Sequence, residues 1–145
     1  VLMPGPMDPD EVARVLPDMD CVAHVPMSEN CGGVVEPLLC GIPTIASRIG
    51  GLVEVVMDGS TGMTVPVHNP ESLSEAIQYV RDHYGDMRKL AVSGRNLAVT
   101  MFDVNRTAIE VHEIYRHILG ESGSAPTHFD SREFLNAVRV RCAIQ

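Results

Sequence analysis

Four short apolar runs, at residues 1–3, 21–25, 44–47 and 63–67, are each followed by a turn and a helix-forming stretch. No other feature narrows the fold as much. Apolar runs of this length, bounded by Gly, Pro, Asp or Asn, read as buried strands. Strands joined through helices pair in parallel, because the intervening helix carries the chain back across the sheet. The expected fold is therefore α/β: a Rossmann-like parallel sheet with helices on both faces. Four strands are fewer than the five or six of a doubly wound domain, so the chain reads as N-terminally incomplete, beginning inside its fold.

Local punctuation sets the expected helices. Asp8-Pro9 is an N-cap followed by Pro at the first helical position, opening a helix over 9–16; Asn69-Pro70 repeats the signal and opens one to about residue 83. In that second helix Leu73, Ile77 and Val80 are expected on one face. A helix over 33–40 is closed by Gly41, with Pro37 tolerated in or near its first turn. Short helical turns at 52–57 and longer helices at 86–100 and 104–119 follow, the last capped by Asp103 and stopped by Gly120. Residues 120–126 read as a small-residue linker, and 130–140 as a short helix with Phe134, Leu135 and Val138 apolar. This gives a domain over 1–119 and a linker with a terminal helix over 120–145.

Charge and cysteine usage exclude some functions. The formal net charge of −8 lacks the basic footprint of a general nucleic-acid binder. No apolar run approaches the ~20 residues of a membrane span, and no signal peptide is evident. Cys21, Cys31, Cys40 and Cys142 show no CxxC spacing and no paired histidines, so neither a metal site nor a disulfide framework is expected. Reduced thiols point to a cytoplasmic protein.

Parallel sheets bind ligands at the carboxyl ends of their strands. Two Gly-rich loops fall there: Ser28-Glu29-Asn30-Cys31-Gly32-Gly33 and Arg48-Ile49-Gly50-Gly51. Each opens a helix, whose first N–H groups carry partial positive charge and suit a diphosphate or a sugar hydroxyl. Taken alone, such loops are equally well read as tight strand-to-helix turns. Glu29 and Glu36 are expected along the same crevice, where two carboxylates can accept hydrogen bonds from sugar hydroxyls. As isolated residues they read as a loop charge and a dipole-compensating charge. His24 reads as a core histidine, and Arg48 as a solvent-facing loop residue.

The run from Ser28 to Ser47, with Glu29, Gly33, Glu36 and Gly41-Ile42-Pro43, resembles the donor-binding signature of family 4-like retaining glycosyltransferases of the glycogen-synthase and sucrose-synthase type. Gly50-Gly51-Leu52-Val53-Glu54 is similar to that family's GG-x-x-E turn. Asp58-Gly59-Ser60-Thr61-Gly62 and Asn69-Pro70-Glu71-Ser72-Leu73 resemble its later landmarks, and 102–119, with Ile114-Tyr115, its C-terminal helix. The resemblance covers about 1–119 and implies the C-terminal half of a two-domain (GT-B) enzyme.

By that resemblance, Glu29 is the catalytic-site carboxylate that meets the donor sugar. Asn30, Cys31, Gly32 and Gly33 offer backbone N–H groups to the sugar and diphosphate, and Glu36 binds the ribose hydroxyls. Six residues separate the two glutamates where the family has seven. The implied reaction moves a sugar with retention from a nucleotide diphosphate to an acceptor hydroxyl on a glycan, lipid or small molecule. The nucleotide sugar is substrate, and no cofactor or metal is implied. The family's diphosphate-clamping Arg and Lys and its N-terminal acceptor domain are absent from this sequence, so the chain alone is expected to be nearly inactive. Two alternatives stay open: a sugar-nucleotide epimerase of the same fold, and a non-catalytic binding module. An incomplete sheet also implies homo-oligomers through an exposed edge, and a lipid acceptor would place the protein at a membrane surface.

Overall fold

The computed structural model describes residues 2–28, 31–121, 127 and 129–143, with side chains only to residue 137 in the last segment. The chain forms two compact units, Val1–Asn96 and Leu97–Gln145, the boundary falling inside a long helix.

In the first unit, three parallel strands lie in the order β1 (Val22–His24), β2 (Thr44–Ser47), β3 (Met63–Val65). Val22 pairs with Thr44 and His24 with Ala46; Ile45 pairs with Met63 and Ser47 with Val65. All four β2 residues are buried. Successive side chains on a strand point to opposite faces, so both faces of β2 are covered, as expected from the sequence.

The expected first strand does not join this sheet. Leu2 and Met3 are 89% and 88% exposed. Pro4 and Pro6 lack the N–H needed to continue a ladder, and Gly5 turns the chain at φ +81°. β1 is also less buried than its composition implies, with Ala23 exposed and Val25 40% exposed. It lies at the sheet edge, and among the described residues no strand covers its outer side.

Helix starts follow the cap signals. Asp8 caps α1 (Pro9–Val15) through a reciprocal pair, Glu11 N–H to Asp8 at 2.8 Å and Asp8 N–H to Glu11 at 3.0 Å. Asn69 caps α4 (Pro70–Asp82) by accepting from the Ser72 amide. α2 (Gly32–Leu39) ends in a Schellman turn: Gly41, at φ +69°, donates to Leu38 O, and Ile42 donates to Pro37 O. Pro37 therefore sits in the second turn of α2, beyond its expected place in the first. Its ring is buried there, and its missing N–H leaves only the Gly33 carbonyl without a helical donor. From α5 (Tyr84–Met101), Arg88 donates to Gly41 O and Arg95 to Leu39 O. These cations sit where the carbonyl end of α2 carries partial negative charge.

Apolar contacts complete the unit. Ile45 and Val65 pack with Ala76 and Val80 of α4 and Met87 of α5, flanked by Leu73 and Leu90. Ile77, expected on this inner face, is 48% exposed. Ala76 faces in instead, where a small side chain lets the helix approach the sheet closely. Gly94 allows similar proximity: a Cβ there would lie 2.5 Å from Leu38 Cδ2 and 2.8 Å from Thr61 O.

Between α3 (Leu52–Val55) and β3, the segment from Asp58 to Gly62 is a closed turn. Asp58 accepts from the Thr64 amide at 2.8 Å, and Gly59 adopts φ +65°. The buried Thr61 hydroxyl donates to Val55 O at 2.7 Å and accepts from Met57 N–H at 2.8 Å. Gly62 lies so near β2 that a Cβ would meet Thr44 O at 2.5 Å. This sequence landmark is thus a structural device that launches β3.

In the second unit, Asp103 caps α6 (Val104–Ile118), and Gly120 closes it in another Schellman turn. Arg106 donates to Thr100 O and Met101 O, pairs with Glu110 and covers the Phe129 ring at 4.6 Å. α7 (Ser131–Ala143) follows, with Leu135 buried. No described helix is long and apolar enough to cross a membrane.

Candidate functional site

The Gly-rich loops lie where the parallel sheet requires, at the carboxyl ends of β1 and β2. Ser47 Oγ donates to Pro26 O at 2.8 Å, joining these two ends, and the Arg48 amide donates to Val65 O at 2.7 Å, joining the end of β2 to β3. The exposed Arg48 side chain turns its Nε to Thr64 Oγ1 at 3.2 Å, so it braces β3 as well as facing solvent.

Glu29 and Asn30 lie outside the described residues. Cys31 is half-buried at the N-cap position of α2, and Gly32 is exposed in the first turn. Gly33 is half-buried against the imidazole of His24. Glu36 is exposed one turn further on. It borders a groove of about 260 Å³ between α1 and α2, shared with Val12, Ala13, Leu16, Leu39 and Cys40. The other residues of this groove lie in or at the ends of the two helices.

The helix starts differ in a way that bears on ligands. α1, α4 and α6 each begin with an Asp or Asn whose side chain takes up first-turn N–H groups. Asp130 does the same for the Arg132 and Glu133 amides at the start of α7. α2 and α3 begin at Gly-rich turns, where the N-cap residues Cys31 and Gly51 make no side-chain cap bond. These two starts follow β1 and β2, at the end of a parallel sheet where ligands bind.

A second cleft of about 380 Å³ lies at the same end, lined by Val25, Met27, Val67, His68, Asn69 and neighbours. His68 adopts φ +56°, which only a few per cent of non-Gly residues do. Nothing in the sequence marks it, since this torsion depends on how β3 hands over to the Asn69 cap. Burial, and to a lesser degree Asp20, push the Cys21 thiol above its ordinary pKa.

Residues 1–96 match the family described as "Glycosyl transferases group 1". The chain belongs to that family. This group 1 chain is 35% identical over 115 residues to a D-inositol 3-phosphate glycosyltransferase of Paenarthrobacter aurescens, covering 77% of the chain and 27% of that enzyme. Its fold superimposes on Anabaena HepE, solved in complex with UDP and glucose, with a TM-score of 0.69 at 23% identity, covering 74% of this chain and 30% of that one. It also matches the C-terminal domain of a group 1 family protein (LpcC) from Francisella tularensis, with a TM-score of 0.61 at 19% identity, covering 69% of this chain and 51% of that one. The group 1 chain thus has the fold of the C-terminal half of a GT-B glycosyltransferase. It spans less than a third of the inositol-phosphate enzyme it matches.

Proposed function

We propose that this chain is the donor-binding half of a retaining glycosyltransferase, which moves a sugar from a nucleotide diphosphate to an acceptor hydroxyl. The observation that supports this most directly is the glycine-rich start of α2 at the carboxyl end of β1. Its N-cap residue, Cys31, makes no side-chain cap bond, while α1, α4 and α6 are capped by carboxylate or amide side chains. The first N–H groups of a helix are suited to an anionic diphosphate. In this reading Cys31, Gly32 and Gly33 donate backbone N–H bonds to the donor's phosphates, joined by Asn30, and Glu29 accepts from the sugar. Glu36, exposed at the rim of the α1–α2 groove, accepts from ribose hydroxyls while the groove's apolar side chains take the base. As the glycosidic bond breaks, negative charge grows on the leaving diphosphate and positive charge on the sugar, so fixed N–H donors lower the barrier.

The nucleotide sugar is a substrate, and the reading calls for no resident cofactor. In this reading the chain by itself binds donor weakly and transfers little. Calorimetry with UDP-, GDP- and ADP-sugars tests the reading. One of the three should bind, and Glu36→Ala should weaken that binding about tenfold, the effect of losing a charged hydrogen-bond acceptor. Binding unchanged in Glu36→Ala would remove the ribose role. Turnover at enzyme-like rates by this chain alone would refute the division of labour.

A further inference from the structure

We propose that His24 is a positioning residue of the donor site, its imidazole bracing Gly33 so that the first amides of α2 keep a fixed direction toward the diphosphate. The inference rests on the donor-binding reading above. It starts from a glycine that backbone torsion does not explain. Among the described residues the left-handed glycines are Gly5, Gly41, Gly50, Gly59 and Gly120, and Gly33 is not one of them. A glycine inside a helix costs about 1 kcal/mol relative to Ala, so an ordinary helical torsion gives no reason for one here.

Space gives the reason. A Cβ on Gly33 would lie 2.7 Å from His24 Nε2 and closer still to Cε1 and Nδ1. Three ring atoms inside contact distance mean that the imidazole lies directly against the backbone at residue 33. His24 is itself held in place, since its backbone pairs with Ala46 at the end of β1 and its side chain is half-buried. The strand thus fixes the ring, and the ring fixes the height at which α2 begins. A smaller residue at 24 would leave a void beneath the turn. A larger one at 33 would lift the turn, and the first-turn amides would swing with it. Tolerances at such a site are tight, because donors displaced by about an ångström lose much of their bond to a bound anion.

The experiment is a two-residue cycle on this chain: wild type, His24→Ala, Gly33→Ala and the double variant. UDP, GDP and ADP binding is measured by calorimetry well below the melting temperature, and thermal melts are recorded alongside. Gly33→Ala should weaken nucleotide binding about tenfold or more, and His24→Ala by a smaller factor. The double variant should bind better than Gly33→Ala, because the new methyl enters the space the ring has left. A purely stabilising contact would change the melting temperatures and leave the affinities of the folded variants equal; that result overturns the proposal. So does a double variant that binds no better than Gly33→Ala. If wild type binds none of the three nucleotides, the donor reading fails and the positioning role with it. Any coupling in the melts then reports packing alone.

Discussion

Thr61 is a sharp test of how the turn before β3 is held. Its side chain is fully buried, and its hydroxyl serves both as donor to Val55 O and as acceptor for Met57 N–H. Thr61→Val keeps the volume and removes both bonds. The Val55 carbonyl belongs to a buried residue, so leaving it without its donor costs about 1–3 kcal/mol. Met57 is half-exposed, so water can partly satisfy its amide, and that part is roughly 0.5–1 kcal/mol. The expected total is about 1.5–4 kcal/mol. Thr61→Ser keeps the hydroxyl and loses one methyl group, costing about 1 kcal/mol.

Urea unfolding followed by circular dichroism separates the two variants. With a slope of about 1–2 kcal/mol per molar urea, the valine variant should unfold roughly 1–4 M earlier than wild type, and the serine variant about 0.5–1 M earlier. The order carries the argument, because the apolar variant must be the less stable. If Thr61→Val matched or exceeded Thr61→Ser, the two hydrogen bonds would be incidental, and shape alone would hold the turn.

Two further outcomes follow from the exposed and buried surfaces. At pH 8 to 9, iodoacetamide should modify the exposed Cys40 faster than Cys21, whose raised pKa keeps it largely protonated. Mass spectrometry of partial labelling reads the order, and equal rates would contradict the burial of Cys21. The outer edge of β1, uncovered among the described residues, should drive concentration-dependent association. Sedimentation should show this, and Ala23→Lys, a charge at an exposed edge position, should reduce it; a wild-type monomer at all concentrations would count against the edge.

Local chemistry made most of this fold legible. Asp8-Pro9, Asn69-Pro70 and Asp103 mark helix starts, and Gly41 and Gly120 mark ends, because each satisfies terminal backbone groups within a few residues of itself. Long-range contacts were hidden. The low burial of β1 depends on which strands lie beside it, and the residue that turns inward on α4 depends on how close that helix sits. Arg88 and Arg95 reach the carbonyls of Gly41, just past α2, and Leu39, its last residue, 47 and 56 residues away, and no spacing rule announces them. The candidate site divides in the same way. Its Gly-rich loop was readable as a motif, but the torsion-free reason for Gly33 appears only once His24 is placed beside it.

The two ends of α2 are managed in opposite ways, and this bears on how binding and stability are linked. At the carbonyl end, the Schellman turn and the guanidinium groups of Arg88 and Arg95 satisfy carbonyls that the helix itself leaves without donors. At the amide end the N-cap Cys31 side chain makes no cap bond, and Gly33 lies against a ring from the neighbouring strand. In the proposed reading this amide end faces the donor. The sequence could have placed Asp, Asn or Ser at residue 31, the substitution that stabilises most helix starts by about 1 kcal/mol. In the proposed reading, such a cap would occupy the same N–H groups that an anionic donor needs. The cysteine at 31 and glycines at 32 and 33 would then trade local helix stability for a start that a bound diphosphate caps.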